Sequence, residues 1–353
     1  MQNWVSQAMS KIEADFMRSS DTHLLKVELP AIEHIHLYLK DESTHPTGSL
    51  KHRLARSLFL YGLCNGLIQE DTTIVESSSG NTAISEAYFA QLLNLRFIAV
   101  VPEGTSKEKI EKISFYNGEC HLVEPKDIYS EAIRLAFELK GHYMDQFTFA
   151  ERATDWRSNN NIADSIFAQM TCEPFPTPTW VVVSAGTGGT SATIGRYIRY
   201  KGHDTKLCVS DPEHSVFFDY YHSKDKALVS DRRSMIEGIG RPRVEPSFIS
   251  SVVDRMIKVP DAASYATIHF MRKLLGRRCG GSTGTNLYAT FQIISELNAR
   301  KQKGSVVSMI CDSGERYLDT YYNDHWLEEN GVDMTPYQKQ LEKFYATGTF
   351  KKL

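Results

Sequence analysis

The stretch "HPTGSLKHR", residues 45–53, sets a Pro-Thr-Gly-Ser turn directly before a lysine that opens a helical-looking run. Lys51 in that place can be a solvated charge at a helix start, or an amine held for covalent chemistry on a carbonyl. Two other polar turns could hold anions. "GTGGT", Gly186 to Thr190, follows the apolar run "WVVVSA". Glycines let the backbone approach an anion, the N–H groups of a following helix point at it, and Thr187 and Thr190 add hydroxyls. The loop lacks the Gly-Lys-Ser/Thr ending of a nucleotide-binding loop, and Ser191 stands where a dinucleotide fingerprint needs glycine. A phosphate cup and a plain tight turn both remain open there. "SSSGNT", Ser77 to Thr82, brings hydroxyls, a glycine and an asparagine to a helix start. That composition suits a carboxylate, and equally a helix N-cap.

Elements must place these turns. "HIHLYLKDE", "TTIVESSSG", "RFIAVVPEG", "CHLVEP", "WVVVSAGTGG", "KLCVSDPE" and "SVVSMICDSG" read as strands. Between them lie helical runs: "NTAISEAYFAQLLN", "SKEKIEKISFYNG", "IYSEAIRLAFELKG", "TSATIGRYIRYKG", "ASYATIHFMRKLLG" and "TNLYATFQIISELNARKQ". In the first of these, Ile84, Ala87, Tyr88 and Leu92 share a helical face. Such alternation implies parallel sheets covered by helices, and two series of it imply two α/β domains. Ligands in such folds sit where strands end and turns lead into helices. The proline-rich "TCEPFPTPT", 171–179, is a natural crossing between the series. In the tail, Tyr337, Leu341, Phe344 and Tyr345 line one side of a short helix that packs on the protein or on a second subunit.

Bulk properties narrow the class. The chain has 353 residues, 41% of them hydrophobic, and a formal net charge of -3, so a sizeable core is expected and a nucleic-acid binder is not. "MQNWVSQAMSKIEADF" has no apolar core of a secretory signal, and no apolar run is long enough to span a membrane. Six dispersed cysteines without a C-x-x-C pair argue against zinc or a disulfide framework and fit a cytoplasmic location.

In order, "KDESTHPTGSLKHR", "SSSGNT", "GTGGT", "EGIG", "GGSTGTN" and "DSGERY" resemble the cysteine synthase / cystathionine β-synthase family of fold type II pyridoxal-phosphate enzymes, over roughly residues 20–325. The resemblance implies two three-layer α/β domains, tryptophan synthase β-like, with the cofactor cleft between them. It gives a smaller domain over 56–165 with the carboxylate loop, a larger one from 1–55 plus 166–330 with the phosphate loop, and a tail, 331–353. It implies pyridoxal 5'-phosphate as cofactor, no metal, and a homodimer.

Residue by residue, the resemblance makes Lys51 the catalytic lysine that carries the cofactor as a Schiff base. Gly186, Thr187, Gly188, Gly189 and Thr190 would hold its phosphate. Asn81 would lie beside its ring hydroxyl, and Ser313 would meet its pyridine nitrogen. Ser78, Ser79, Gly80 and Thr82 would grip the substrate carboxylate with Gln146, and Gly238 would lie near the substrate amine. If Ser313 closes a strand, Asp312 should point the other way.

The sequence departs from the common family pattern at His52, where aspartate is usual, and at Ser78 and Ala83. It departs again in "TFAERATDWRSNNN" and in "RPRVEPSF", with Arg241 and Arg243. "DQFTFAERATDWR" and "EGIGRPRVEPSF" resemble the L-cysteine desulfhydrase branch. That branch implies β-elimination on L-cysteine or a similar amino acid, releasing hydrogen sulfide, pyruvate and ammonia. β-Replacement, as in cysteine synthase or a cystathionine-type enzyme, shares the same motifs. A non-catalytic protein that keeps the pocket is a third class, against which the retained Lys51 argues. The Arg241/Arg243 loop is read either as a draw for an anionic substrate or as a surface ion-pair loop.

Overall fold

The computed structural model describes residues 2–351. In chain order the strands are β1 (His23–Val27), β2 (Ile35–Asp41), β3 (Ile74–Glu76), β4 (Phe97–Pro102), β5 (Glu119–Val123), β6 (His142–Tyr143), β7 (Trp180–Ser184), β8 (Lys206–Pro212), β9 (Arg255–Val259) and β10 (Gly304–Ile310). The helices of the first half are α1 (Gln2–Met17), α2 (Lys51–Cys64), α3 (Asn81–Leu93), α4 (Lys107–Ser114), α5 (Ile128–Glu138) and α6 (Gln146–Ala153). Those of the second half are α7 (Ile162–Met170), α8 (Gly189–Lys201), α9 (Phe217–Ser223), α10 (Asp261–Leu275), α11 (Gly281–Ala299), α12 (Asp324–Glu329) and α13 (Thr335–Thr347).

Packing divides the chain into two compact units, 1–21 with 45–155, and 22–44 with 156–353. The first contains a four-stranded sheet in the order β5-β4-β3-β6, parallel throughout. The second contains a six-stranded sheet, β1-β2-β10-β7-β8-β9, parallel except for the antiparallel β1–β2 edge pair. The α/β class with parallel sheets is therefore the one that the alternation of runs predicts. Parallel strands covered by helices on both faces are buried along their length, and every residue of β10 and of β3 is buried, the polar Ser305, Ser308 and Glu76 included.

Each unit has its own core. In the first, Ile12 of α1, Phe59 of α2 and Phe89 of α3 pack with Ile74 and Phe97 of the sheet. In the second, Leu37, Val182 and Val306 of the sheet pack with Phe291 of α11 and Phe344 of α13. The expected tail helix is α13, and its Leu341 and Phe344 are buried in that core, with Tyr337 and Tyr345 packed against it. The tail therefore packs on its own chain. The proline-rich stretch 171–179 lies inside the second unit and leads into β7; the chain passes from one unit to the other at 155/156 instead.

Capping explains several helix starts. Ser106 accepts a hydrogen bond from the Lys109 N–H at α4, and Asn161 accepts from Ala163 and Asp164 at α7. α8 runs between two glycines in the left-handed region, Gly188 and Gly202.

Candidate active site

In the first unit, Lys51 is the first residue of α2. The turn before it is closed by the Gly48 N–H donating to the His45 carbonyl at 2.7 Å, with Gly48 at φ +72°. A cation at a helix N-terminus opposes the helix dipole, so this is a poor place for a lysine whose only task is to be solvated. The turn is braced from below. The Thr47 hydroxyl lies 2.9 Å from the Ser85 hydroxyl of α3 and 3.2 Å from His52 Nδ1. His52 is buried, stacked on His45 with ring centroids 5.0 Å apart, and in contact with Tyr88 and Phe89. The residue that departs from the family pattern thus sits in an aromatic nest and fixes the turn that carries Lys51.

β3 ends at Glu76, and residues 77–80 lead into α3 with Gly80 as N-cap and Asn81 as first residue. Ser78 Oγ accepts from the Gly80 N–H at 3.3 Å, which curls the loop. Thr82 donates its hydroxyl to Gln146 Oε1 at 2.7 Å, and both side chains are buried. Two of the residues expected to grip a carboxylate, 64 positions apart, are therefore in direct contact. Gln146 opens α6 behind the N-cap Asp145, whose backbone takes φ +45°. Below the loop, Glu76 is fully buried. Its carboxyl is pushed up to about 7, first by burial, against the lowering effect of hydrogen bonds from Gln146 and Ser77. Burial, then the neighbouring Glu76, drives Glu86 well above the usual carboxylate range.

In the second unit, the glycine turn after β7 opens α8. Gly188 has φ +89°, and a Cβ there would lie 2.6 Å from Phe248 Cα and 2.7 Å from the Ser247 carbonyl. A Cβ on Gly186 would strike the Gly238 carbonyl. The Gly240 N–H donates to the Ala185 carbonyl at 2.8 Å, so the glycine turn after β7 and the Gly238 loop lie side by side. Thr187 is buried and accepts from the Gly189 N–H at 3.2 Å. No acidic residue lies in the first turn of α8. A bare backbone at the N-terminus of a 13-residue helix, free of negative charge, fits a phosphate group.

The Gly238 loop is held from behind. The Tyr321 hydroxyl accepts from the Glu237 N–H at 2.8 Å and donates to the Met235 carbonyl at 2.9 Å. Arg241 and Arg243 both donate from Nε to Glu245 Oε1, at 2.8 and 3.2 Å, and Glu245 is buried. Both are thus engaged in ion pairs within their own loop.

Ser313 departs from its expected setting. β10 ends at Ile310, and Ser313 forms an isolated bridge with Cys279 and caps the short 3-10 turn Gly314–Tyr317, accepting from the Glu315 N–H at 3.3 Å. Strand alternation therefore does not set the direction of Asp312, which accepts from the Tyr317 hydroxyl at 2.7 Å.

The placements of Glu76 and Thr47 escaped sequence reasoning. A glutamate closing a three-residue apolar strand was the available signal for the first. Among the described residues no group of acidic, histidine and cysteine side chains could hold a metal ion, and no helix is long and apolar enough to cross a membrane.

The chain is 59% identical, over 94% of its length and 91% of the other's, to the L-cysteine desulfhydrase Cds1 of Mycobacterium tuberculosis. It is 28% identical to a putative cysteine synthase of Sinorhizobium fredii, covering 87% of this chain and 89% of that one. The crystal structure of O-ureido-L-serine synthase superposes with a TM-score of 0.74 at 25% identity, covering 88% of this chain and 93% of that one. The family model described as pyridoxal-phosphate dependent enzyme matches residues 19–312. With that match over most of its length and 59% identity to a relative, the chain belongs to the family of pyridoxal-phosphate dependent enzymes.

Proposed function

We propose that the protein is an L-cysteine desulfhydrase, converting L-cysteine and water to hydrogen sulfide, pyruvate and ammonia by β-elimination. The observation that carries the reading is the 59% identity, over nearly the whole of both chains, to a protein of that name.

Each residue has a part in it. Gly186, Thr187, Gly188, Gly189 and Thr190 would hold the cofactor phosphate through backbone N–H groups and hydroxyls at the start of α8. Lys51 Nζ would be the point of attachment for the cofactor and the base that takes the substrate Cα proton. Asn81 would donate to the cofactor's ring hydroxyl. Ser313 would meet the pyridine nitrogen with a hydroxyl, which does not force that nitrogen to be protonated as a carboxylate would. Ser78, Ser79, Gly80 and Thr82, with Gln146, would hold the substrate carboxylate, and Gly238 would border its amine. When bound, pyridoxal phosphate supplies the electron sink that stabilises negative charge at Cα. Holding the carboxylate fixes the Cα–H bond toward Lys51, which lowers the entropic part of the barrier to proton transfer.

A homodimer in the cytoplasm completes the proposal; the six cysteines, all free thiols, fit a reducing compartment. The function is tested by turnover of L-cysteine by the cofactor-loaded protein beside Lys51→Ala. Loss of turnover in the variant with an unchanged circular dichroism spectrum is expected, and equal turnover in both would overturn the assignment of Lys51.

A further inference from the structure

Glu76 is a buried acid that the proposed chemistry does not use. It ends β3 directly beneath the 77–82 loop and has no solvent exposure. Its Oε1 accepts from the Ser77 N–H at 2.6 Å and from the Ser77 hydroxyl at 3.1 Å. Its Oε2 accepts from the Gln146 N–H at 3.2 Å. The Ser77 hydroxyl lies a further 2.6 Å from the Tyr143 hydroxyl of β6. One side chain therefore joins the start of the loop to the start of α6, and the Thr82–Gln146 bond joins the loop's far end to the same helix. The result is a closed circuit: Glu76, Ser77, the loop, Thr82, Gln146 and back to Glu76.

We infer that Glu76 is the positioning residue of the substrate-carboxylate grip, setting the distance between the serine loop and Gln146 without touching substrate. This rests on the reading of residues 78–82 and Gln146 as that grip. Burying an acid is costly unless it is hydrogen-bonded, and here both oxygens accept from the elements that carry the grip. Glu86, ten residues on, shows the contrast: it is equally buried, yet among the described residues neither of its oxygens has a hydrogen-bond partner. Only Glu76 is wired into the loop. Replacing its carboxylate by an amide of the same shape puts an NH2 group where an oxygen accepted. Whichever way the amide turns, an N–H of Ser77 or of Gln146 loses its acceptor.

The test compares two ligands on the cofactor-loaded protein, read from the absorbance of the bound cofactor: L-alanine, which has a carboxylate, and ethylamine, which has none. Measured at about pH 8.5, where the Glu76 carboxyl is ionised, the dissociation constant of L-alanine in Glu76→Gln is expected to rise about tenfold to a hundredfold, the effect of losing one charge-assisted hydrogen bond, while that of ethylamine stays within about twofold. KM for L-cysteine should rise with it and kcat should change little. Glu86→Gln should leave both ligands unchanged. Equal weakening of both ligands, or of neither, in Glu76→Gln would overturn the inference. Should that variant fail to fold, Tyr143→Phe removes the bond that holds Ser77, a member of the circuit, from outside it. It should weaken L-alanine alone by about threefold to tenfold, and an unchanged preference between the ligands would overturn the inference. Since neither ligand turns over, the comparison stands even if L-cysteine proves not to be the substrate.

Discussion

Replacing Gly188 by alanine sets the glycine turn before α8 against the backbone of residues 247–248. Gly188 sits at φ +89° and ψ -4°. A side chain in that left-handed region costs about 1–2 kcal/mol. The new Cβ would also lie 2.6 Å from Phe248 Cα and 2.7 Å from the Ser247 carbonyl, both backbone atoms that cannot rotate away. Forcing such a shift costs a further 1–3 kcal/mol or so, for a total of roughly 2–5 kcal/mol. The same helix provides the control. Gly202, its C-cap, has φ +68° and, among the described residues, no atom within 4 Å of a built Cβ, so Gly202→Ala meets the strain alone, about 1–2 kcal/mol. Urea denaturation of the two apo variants measures the stabilities, and titration with pyridoxal phosphate measures loading. Gly188→Ala should lose the larger stability and, if the 186–190 loop holds the phosphate as proposed, weaken cofactor binding by about tenfold or more. Gly202→Ala should load like wild type. Equal loading by both variants would refute the placement of the phosphate at the α8 N-terminus.

Two other outcomes follow from the structure. Thr82→Val removes the hydroxyl that donates to the buried Gln146 Oε1, which should raise KM for L-cysteine about tenfold with little change in kcat; an unchanged KM would count against the grip. Asp211, fully buried at the end of β8, has its carboxyl pushed from 3.8 to about 7, chiefly by burial. The folded protein therefore binds the proton more tightly than the unfolded chain, so this group's contribution is present at low pH and lost as pH rises through about 7. Relative to Asp211→Asn, the wild type should lose roughly 3 kcal/mol of stability between pH 5 and pH 8. Parallel pH profiles for the two proteins would contradict it.

What could be seen in the sequence follows the range of the interactions. β4 and β7 are nearly unbroken apolar runs because both faces of a parallel sheet are covered, and such runs declare themselves. The glycine turn at 186–190 was legible because a strand, a glycine cluster and a helix are consecutive in the chain. α1 was passed over although Trp4, Ala8 and Ile12 recur every fourth residue and enter the core of the first unit. The short pieces β1, β6 and α9 are too brief to show a period. The contacts beneath the 77–82 loop and the Lys51 turn were illegible for another reason. Glu76 meets Gln146 across 70 residues and Thr47 meets Ser85 across 38, and nothing local in a polar residue names so distant a partner. Ser313 was placed in a strand because the apolar run continues to Cys311, but the ladder stops at Ile310 and a 3-10 turn takes over.

The most direct measurement is the simultaneous release of sulfide and pyruvate by the cofactor-loaded protein given L-cysteine alone. Equal amounts of the two, formed without a second substrate and lost in Lys51→Ala, are the predicted result. Sulfide without pyruvate, or turnover only when O-acetylserine or a second thiol is added, would contradict elimination and show replacement instead.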